Sequence, residues 1–201
     1  MYGLPKSTEV KRNLPKAQLY KQFDLKPAQR DGFDAAVARL DFVNWISPKT
    51  VPAIAQGNEV KEIFVVEVEM KNSDYDPKKI TLVAKLIPQR IVFVLRFGAD
   101  AQFAIYHDKL FTAQRASIDD VSLPLSGLNL DSVWTNLVSH IGQFSVENEN
   151  TLSEQIKADT ERAKILRQIA QLELKMRSTT QTRRQREIYS EIKRLKGGLN
   201  G

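Results

Sequence analysis

Residues 62–70 alternate in polarity: Phe64, Val66, Val68 and Met70 fall on one side of a predicted strand. Glu67, Glu69 and Lys71 fall on the other. Two carboxylates and an ammonium on one strand face have a definite chemistry available to them. Carboxylate oxygens hold Mg²⁺, and the lysine steers a water for metal-assisted hydrolysis. In that reading Glu69 and Lys71 carry the reaction and Glu67 is an alternative metal ligand. The plainer reading is a charged strand face laced with Glu–Lys pairs, near the surface and adding little to stability. Other chemistries find less to work with. There is no cysteine, which removes disulfides, thiol nucleophiles and thiolate metal sites. His107 and His140 have no neighbours at ligand spacing, and His107-Asp108 reads as a turn at a strand end. Neither a Gly-x-Ser-x-Gly elbow nor a glycine-rich phosphate loop occurs. No cofactor is expected, and Mg²⁺ only if that metal-assisted hydrolysis operates.

The order of a carboxylate-x-Lys strand, a helix and a further strand resembles the PD-(D/E)xK nuclease core in pattern. That core needs another acid on a preceding strand. Glu59 and Glu62 lie on or just before the same strand, and Asp41 lies on a predicted helix, so none is well placed.

The charge distribution suggests a different activity. The chain has 201 residues and a net charge of +6, with 42% hydrophobic and 27% charged residues. Such a chain can bury one sizeable core plus an appendage, and global disorder is not expected. Residues 1–30 hold seven Lys/Arg against two acids, and residues 177–201 again hold seven against two. Each end is therefore +5 and the middle −4. Basic ends suit an anionic partner such as nucleic acid, whose condensed counterions are released on binding. Solvated termini are the plain alternative. The candidate contacts are Lys11 and Arg12 at one end and Arg177, Arg183, Arg184, Arg186, Lys193, Arg194 and Lys196 at the other. Tyr2, Tyr20 and Phe23 among the N-terminal lysines either stack bases or clamp a terminal arm to the core.

The elements that must position these residues follow from periodicity and breakers. Pro5, Pro15 and Pro27 isolate a short helix near 16–23 in a basic arm, 1–30. Phe33, Val37, Leu40 and Val43 or Asn44 predict an amphipathic helix over 31–46, ending before Ser47-Pro48. After the strand at 62–70, Asp76-Pro77 starts a helix whose apolar face is Ile80, Val83, Ala84 and Ile87. Residues 91–97 read as a central strand, joined through Gly98 to a hairpin partner at 102–107. Asp131 reads as the cap of a helix over 131–144. The result is an α+β fold with a mixed β-sheet, a strand-helix-strand-strand core flanked by helices, over 31–148. The tail, 149–201, repeats a 4-3-4 spacing twice, through Ile165, Ile169, Leu172 and Met176 and through Ile188, Ile192, Leu195 and Leu199. Poor helix formers at 178–182 favour a C-terminal helical hairpin, or short coiled coil, over one rod. These stripes are the predicted helix-docking surface: each other, the core, a second copy or another protein must cover them.

Several segments together resemble one family. They are Leu4-Pro5-Lys6-Ser7-Thr8, the turn from Trp45 through Ser47-Pro48 to Thr50, Glu62-Ile63 opening a strand, and Leu86-Ile87-Pro88 leading into 91–95. Leu123-Pro124 through Gly127-Leu128 before a helix and the basic helical tail complete the set. The family is a bacterial and archaeal one catalogued only as a domain of unknown function. It usually shows Tyr-Lys at the end of the hairpin strand, where this chain has Tyr106-His107-Asp108-Lys109. The resemblance implies genes set beside helicases, DNA methyltransferases and restriction subunits, and implies no catalytic residue. Two roles are therefore carried forward. One is a non-enzymatic accessory subunit of a DNA-processing or restriction-type defence assembly, contacting a protein partner through the tail and nucleic acid through its basic ends. The other is the Mg²⁺-dependent nuclease. A homodimer formed through the tails is a third arrangement. With no apolar run long enough to span a bilayer and no apolar signal core, a cytoplasmic protein without membrane contact is expected.

Overall fold

A computed structural model describes residues 2–22, 24–147 and 150–199, with the side chain of Leu199 excluded. Phe23, one of the proposed stacking residues, and the Leu199 end of the tail stripe thus lie outside the described residues. The described residues fall into two compact units, divided between Ser145 and Val146.

The first unit is a mixed sheet covered on both faces. Its strands are β1 (Glu9–Asn13), β2 (Val37–Ile46), β3 (Ile63–Met70), β4 (Arg90–Phe97), β5 (Asp100–His107), β6 (Lys109–Thr112) and the short β7 (Ala116–Ser117). They lie in the order β1-β2-β3-β4-β5-β6, with β7 on β5. Only the β3–β4 pair is parallel among these. The crossover between them is helix α3 (Pro77–Leu86), begun as its sequence requires: Asp76 accepts from the Lys78 N–H, and Pro77 takes the first turn. The strand-helix-strand-strand core is thus present as β3-α3-β4-β5. Hairpin turns fall at Gly98 (φ 67°) and Asp108 (φ 59°).

Helices α1 (Lys16–Gln22), α2 (Pro27–Ala36) and α3 cover one face. Leu19, Phe33, Ile80 and Val83 from the helices meet Leu40, Val66, Val68, Phe93 and Leu95 from the sheet in one buried cluster. Helix α4 (Leu130–Gly142) crosses β5 and β6 with Val133, Leu137, Val138 and Ile141 fully buried.

Two expectations are corrected. The helix over 31–46 stops at Ala36, and 37–46 is strand β2. Two bulges, between Val37 and Arg39 and between Phe42 and Asn44, shift the pleat of β2 relative to β3. They leave Val37, Leu40 and Asn44 buried at spacings of three and four, which imitates a helix period on a strand. The cap of α4 is Asn129, whose side chain accepts from the Ser132 N–H; Asp131 lies inside the first turn. The basic first thirty residues supply the edge strand β1, the helix α1 and the start of α2. Lys16 pairs with Asp34 and donates to the Val37 carbonyl at 3.1 Å, and Tyr20 donates to Asp34 at 2.8 Å.

Asp131 has a separate structural role. Its carboxylate accepts the backbone N–H groups of Asn58 at 2.6 Å, Glu59 at 3.1 Å and Val60 at 2.7 Å, pinning the loop before β3. Burial pushes its pKa up, but these three donors outweigh it and hold the carboxyl below its ordinary range. Asp131→Ala should therefore lower the free energy of unfolding in urea by about 1–2 kcal/mol at neutral pH, given its partial exposure. A depressed carboxyl stabilises the fold above its unfolded pKa and ceases to do so as pH falls through the folded value. The gap between wild type and variant should accordingly close in acid.

The second unit is a pair of helices, α5 (Leu152–Ser178) and α6 (Thr182–Leu199). Thr151 and Glu154 start α5 with a reciprocal capping box. The three-residue link returns α6 along α5. Ile169, Ile188 and Ile192 are buried between the helices, with Ile165, Leu172, Met176 and Leu195 packed around them.

Candidate functional site

Glu67 and Glu69 lie on the C-terminal half of β3, and Lys71 directly follows its last residue, Met70. Pairing places Asp41 of β2 directly opposite Glu67, and Arg39 opposite Glu69. On the other side Arg96 of β4 stands opposite Glu69. Directly paired residues share a sheet face, so Asp41, Glu67 and Glu69 are neighbours. The bulged strand thus supplies the acid that the sequence pattern lacked.

Asp41 and Glu67, however, each have an arginine in contact. Arg39 Nε lies 2.6 Å from Asp41, and Asn13 donates to the same carboxylate at 3.1 Å. Glu67 accepts from the Tyr2 hydroxyl and lies 3.4 Å from Arg96. Arg96 also donates to the Gly98 carbonyl at 3.1 Å. Burial, then Glu67, pushes the Tyr2 phenol well above its ordinary pKa, so it stays a donor. Glu69 is exposed. Lys71 is exposed too, and its charge helps hold down the pKa of Asp34 on α2, after the larger effects of Lys16 and Tyr20. Among the described residues no group of three acids or imidazoles converges to hold a metal. With arginines set against Asp41 and Glu67 and the Tyr2 hydroxyl on Glu67, these residues do not fit Mg²⁺.

This arrangement is one of structural ion pairs. Arg96→Ala should lower the unfolding free energy by about 1–3 kcal/mol, because Glu67 keeps its burial and loses its cation. Glu69→Ala, at an open position, should stay within about 0.5 kcal/mol of wild type. Thermal or urea unfolding of the two variants checks both values.

His107 at the end of β5 accepts the Trp134 indole N–H on Nδ1 at 3.1 Å. Burial first, and Arg90 second, depress its pKa, so the neutral ring is the folded form. Trp45 donates to Glu62 at 2.9 Å.

The basic candidates are distributed unequally. Lys11 and Arg12 are exposed on the edge strand β1, where such residues also deter edge-to-edge pairing. On α6, at about 3.6 residues per turn, Arg183, Arg186, Lys193 and Arg194 gather opposite the Ile188-Ile192-Leu195 stripe. All four are exposed. Arg183 has only a solvent-exposed pair with Glu187 at 3.4 Å. Lys196 is engaged with Glu173 of α5 at 2.9 Å. Arg177 and Arg184 are exposed outside that face. The stripe residues Ile165, Ile169, Leu172, Met176, Ile188, Ile192 and Leu195 meet one another within the hairpin. The apolar side chains left open on it are Leu166, Leu174 and Tyr189.

Sequence reasoning missed Tyr2 and Arg96 as partners of Glu67. It also missed the aromatic cluster that Phe42, Trp45 and Phe64 form together. No local signal marks any of these, because strand pairing creates all of them. No helix among the described residues is long and apolar enough to cross a membrane. The family model described as Domain of unknown function (DUF4391) matches residues 2–199. No curated protein and no solved structure matches the chain.

Proposed function

The chain belongs to that family of unknown function, and on that premise we propose that it is a non-enzymatic accessory subunit of a DNA-processing or restriction-type assembly. Its helical hairpin lays the outer face of α6 along a nucleic-acid backbone. The carrying observation is that face: Arg183, Arg186, Lys193 and Arg194 stand exposed on the side that hairpin packing does not use. Across α6 six Lys/Arg oppose two Glu. Such a helix releases condensed counterions from phosphates whatever the sequence, and gains its affinity from that release. The exposed Leu166, Leu174 and Tyr189 give a partner protein an apolar place to dock on the same unit.

Titration of the full chain into short duplex DNA at graded salt tests the proposal. Binding should weaken linearly on a log–log plot against salt. A chain that fails to bind DNA even at low salt would refute it. The nuclease alternative draws on one favourable observation, Asp41 opposite Glu67. The arginines and tyrosine that occupy those acids argue for structure over catalysis.

A further inference from the structure

On the face of the sheet that α1, α2 and α3 cover, a groove of about 430 Å³ lies between β1, α1 and the link from α3 to β4. That volume suits a small-molecule site, roughly 300–1,000 Å³. One side of it is aromatic. Trp45 and Phe64, opposite each other on β2 and β3, lie within 8° of parallel at 6.4 Å, and Phe42 meets Phe64 edge-on at 5.4 Å. The bond from Trp45 to Glu62 fixes the indole, so the aromatic side of the groove is preorganised.

The rim is polar in a specific way. Gln18 and Gln22, one turn apart on α1, and Gln89 each bring an amide with both donors and an acceptor. Arg12, opposite Phe42 in register, is the one charged residue lining the groove, and among the described residues it has no ion-pair partner. An aliphatic ligand would leave the amides and the guanidinium unanswered. Inorganic phosphate would leave the rings bare, and a cationic ligand would meet Arg12.

We infer that this groove binds one nucleotide unit: the base lies against the aromatic cluster of Phe42, Trp45 and Phe64, amides meet its edge, and Arg12 takes the phosphate. Flat aromatic rings stack on such clusters without strong base preference. A guanidinium holds phosphate through paired N–H groups. The unit has two sources, a free nucleotide or a base splayed from a strand. No hairpin residue takes part, so this inference stands apart from the reading of α6.

The test uses the full chain with AMP and with a hexanucleotide single strand, read by tryptophan emission and by calorimetry. Trp45 emission should be quenched by AMP, and Arg12→Ala should weaken AMP binding by about tenfold or more. Trp45→Ala, with its fold checked by circular dichroism, should do the same, and inorganic phosphate should produce no quench. Replacing Arg183, Arg186, Lys193 and Arg194 with alanine should leave AMP binding unchanged. Equal affinity for AMP and the strand supports the free nucleotide as source; a tighter strand that also depends on Arg12 supports the splayed base. Absence of AMP and strand binding at millimolar concentration overturns the inference. So does AMP binding that survives both Arg12→Ala and Trp45→Ala.

Discussion

Replacing Arg183, Arg186, Lys193 and Arg194 together by alanine is expected to weaken duplex DNA binding by about 100- to 1,000-fold at roughly 0.1 M salt. The expectation follows from counterion release, since each phosphate neutralised contributes close to one ion of salt dependence. These four side chains form one stripe on α6 and do not pack against α5. Alanine is also the best helix former, so α6 should persist in the variant. Electrophoretic or anisotropy titration at fixed salt measures the loss, and circular dichroism confirms the helix. Replacing Lys196 alone is a contrast: its contact with Glu173 means that part of any effect falls on the hairpin itself.

The second large effect is on the hairpin's own stability. Ile192 is 5% exposed and is one of three buried residues between α5 and α6. Ile192→Ala should cost about 2–5 kcal/mol, from lost burial plus the cavity left behind. Helices of this length are marginal in water without a packed face, so a loss of that size should melt much of α6. The expected signature is a drop in ellipticity at 222 nm, with the near-ultraviolet signal of the tryptophans retained. Trp45 and Trp134 both belong to the first unit. DNA affinity should fall with the ellipticity, because the four basic residues share a face only while α6 is helical.

Where a single period governs an element, the sequence gives it away. The alternation of β3, the Asp76-Pro77 start of α3, the apolar β4 and the two tail stripes each follow one rule, and each is found near its expected position. Strand β2 escapes because two bulges change its phase within ten residues, and a phase change every few residues mimics a helix. β1, β6 and β7 are too short for periodicity to speak, and pairing defines them. The same physics governs the sites. The basic face of α6 is readable because helix geometry fixes its members from spacing alone. The partners of Glu67 are not, since Tyr2 lies 65 positions away and Arg96 arrives by a parallel pairing. Asp131 shows a subtler limit: its residue type and position suit a cap, yet its carboxylate serves a loop some seventy residues earlier.

The most direct test of the central claim is a paired salt series, in which the wild type and the fourfold alanine variant are titrated into the same duplex. The log–log slope of affinity against salt counts phosphates neutralised, whatever the absolute affinities. The account predicts that the variant's slope is shallower by about three to four, one for each side chain removed. Equal slopes for the two proteins would contradict it, and would place any DNA contact away from the outer face of α6.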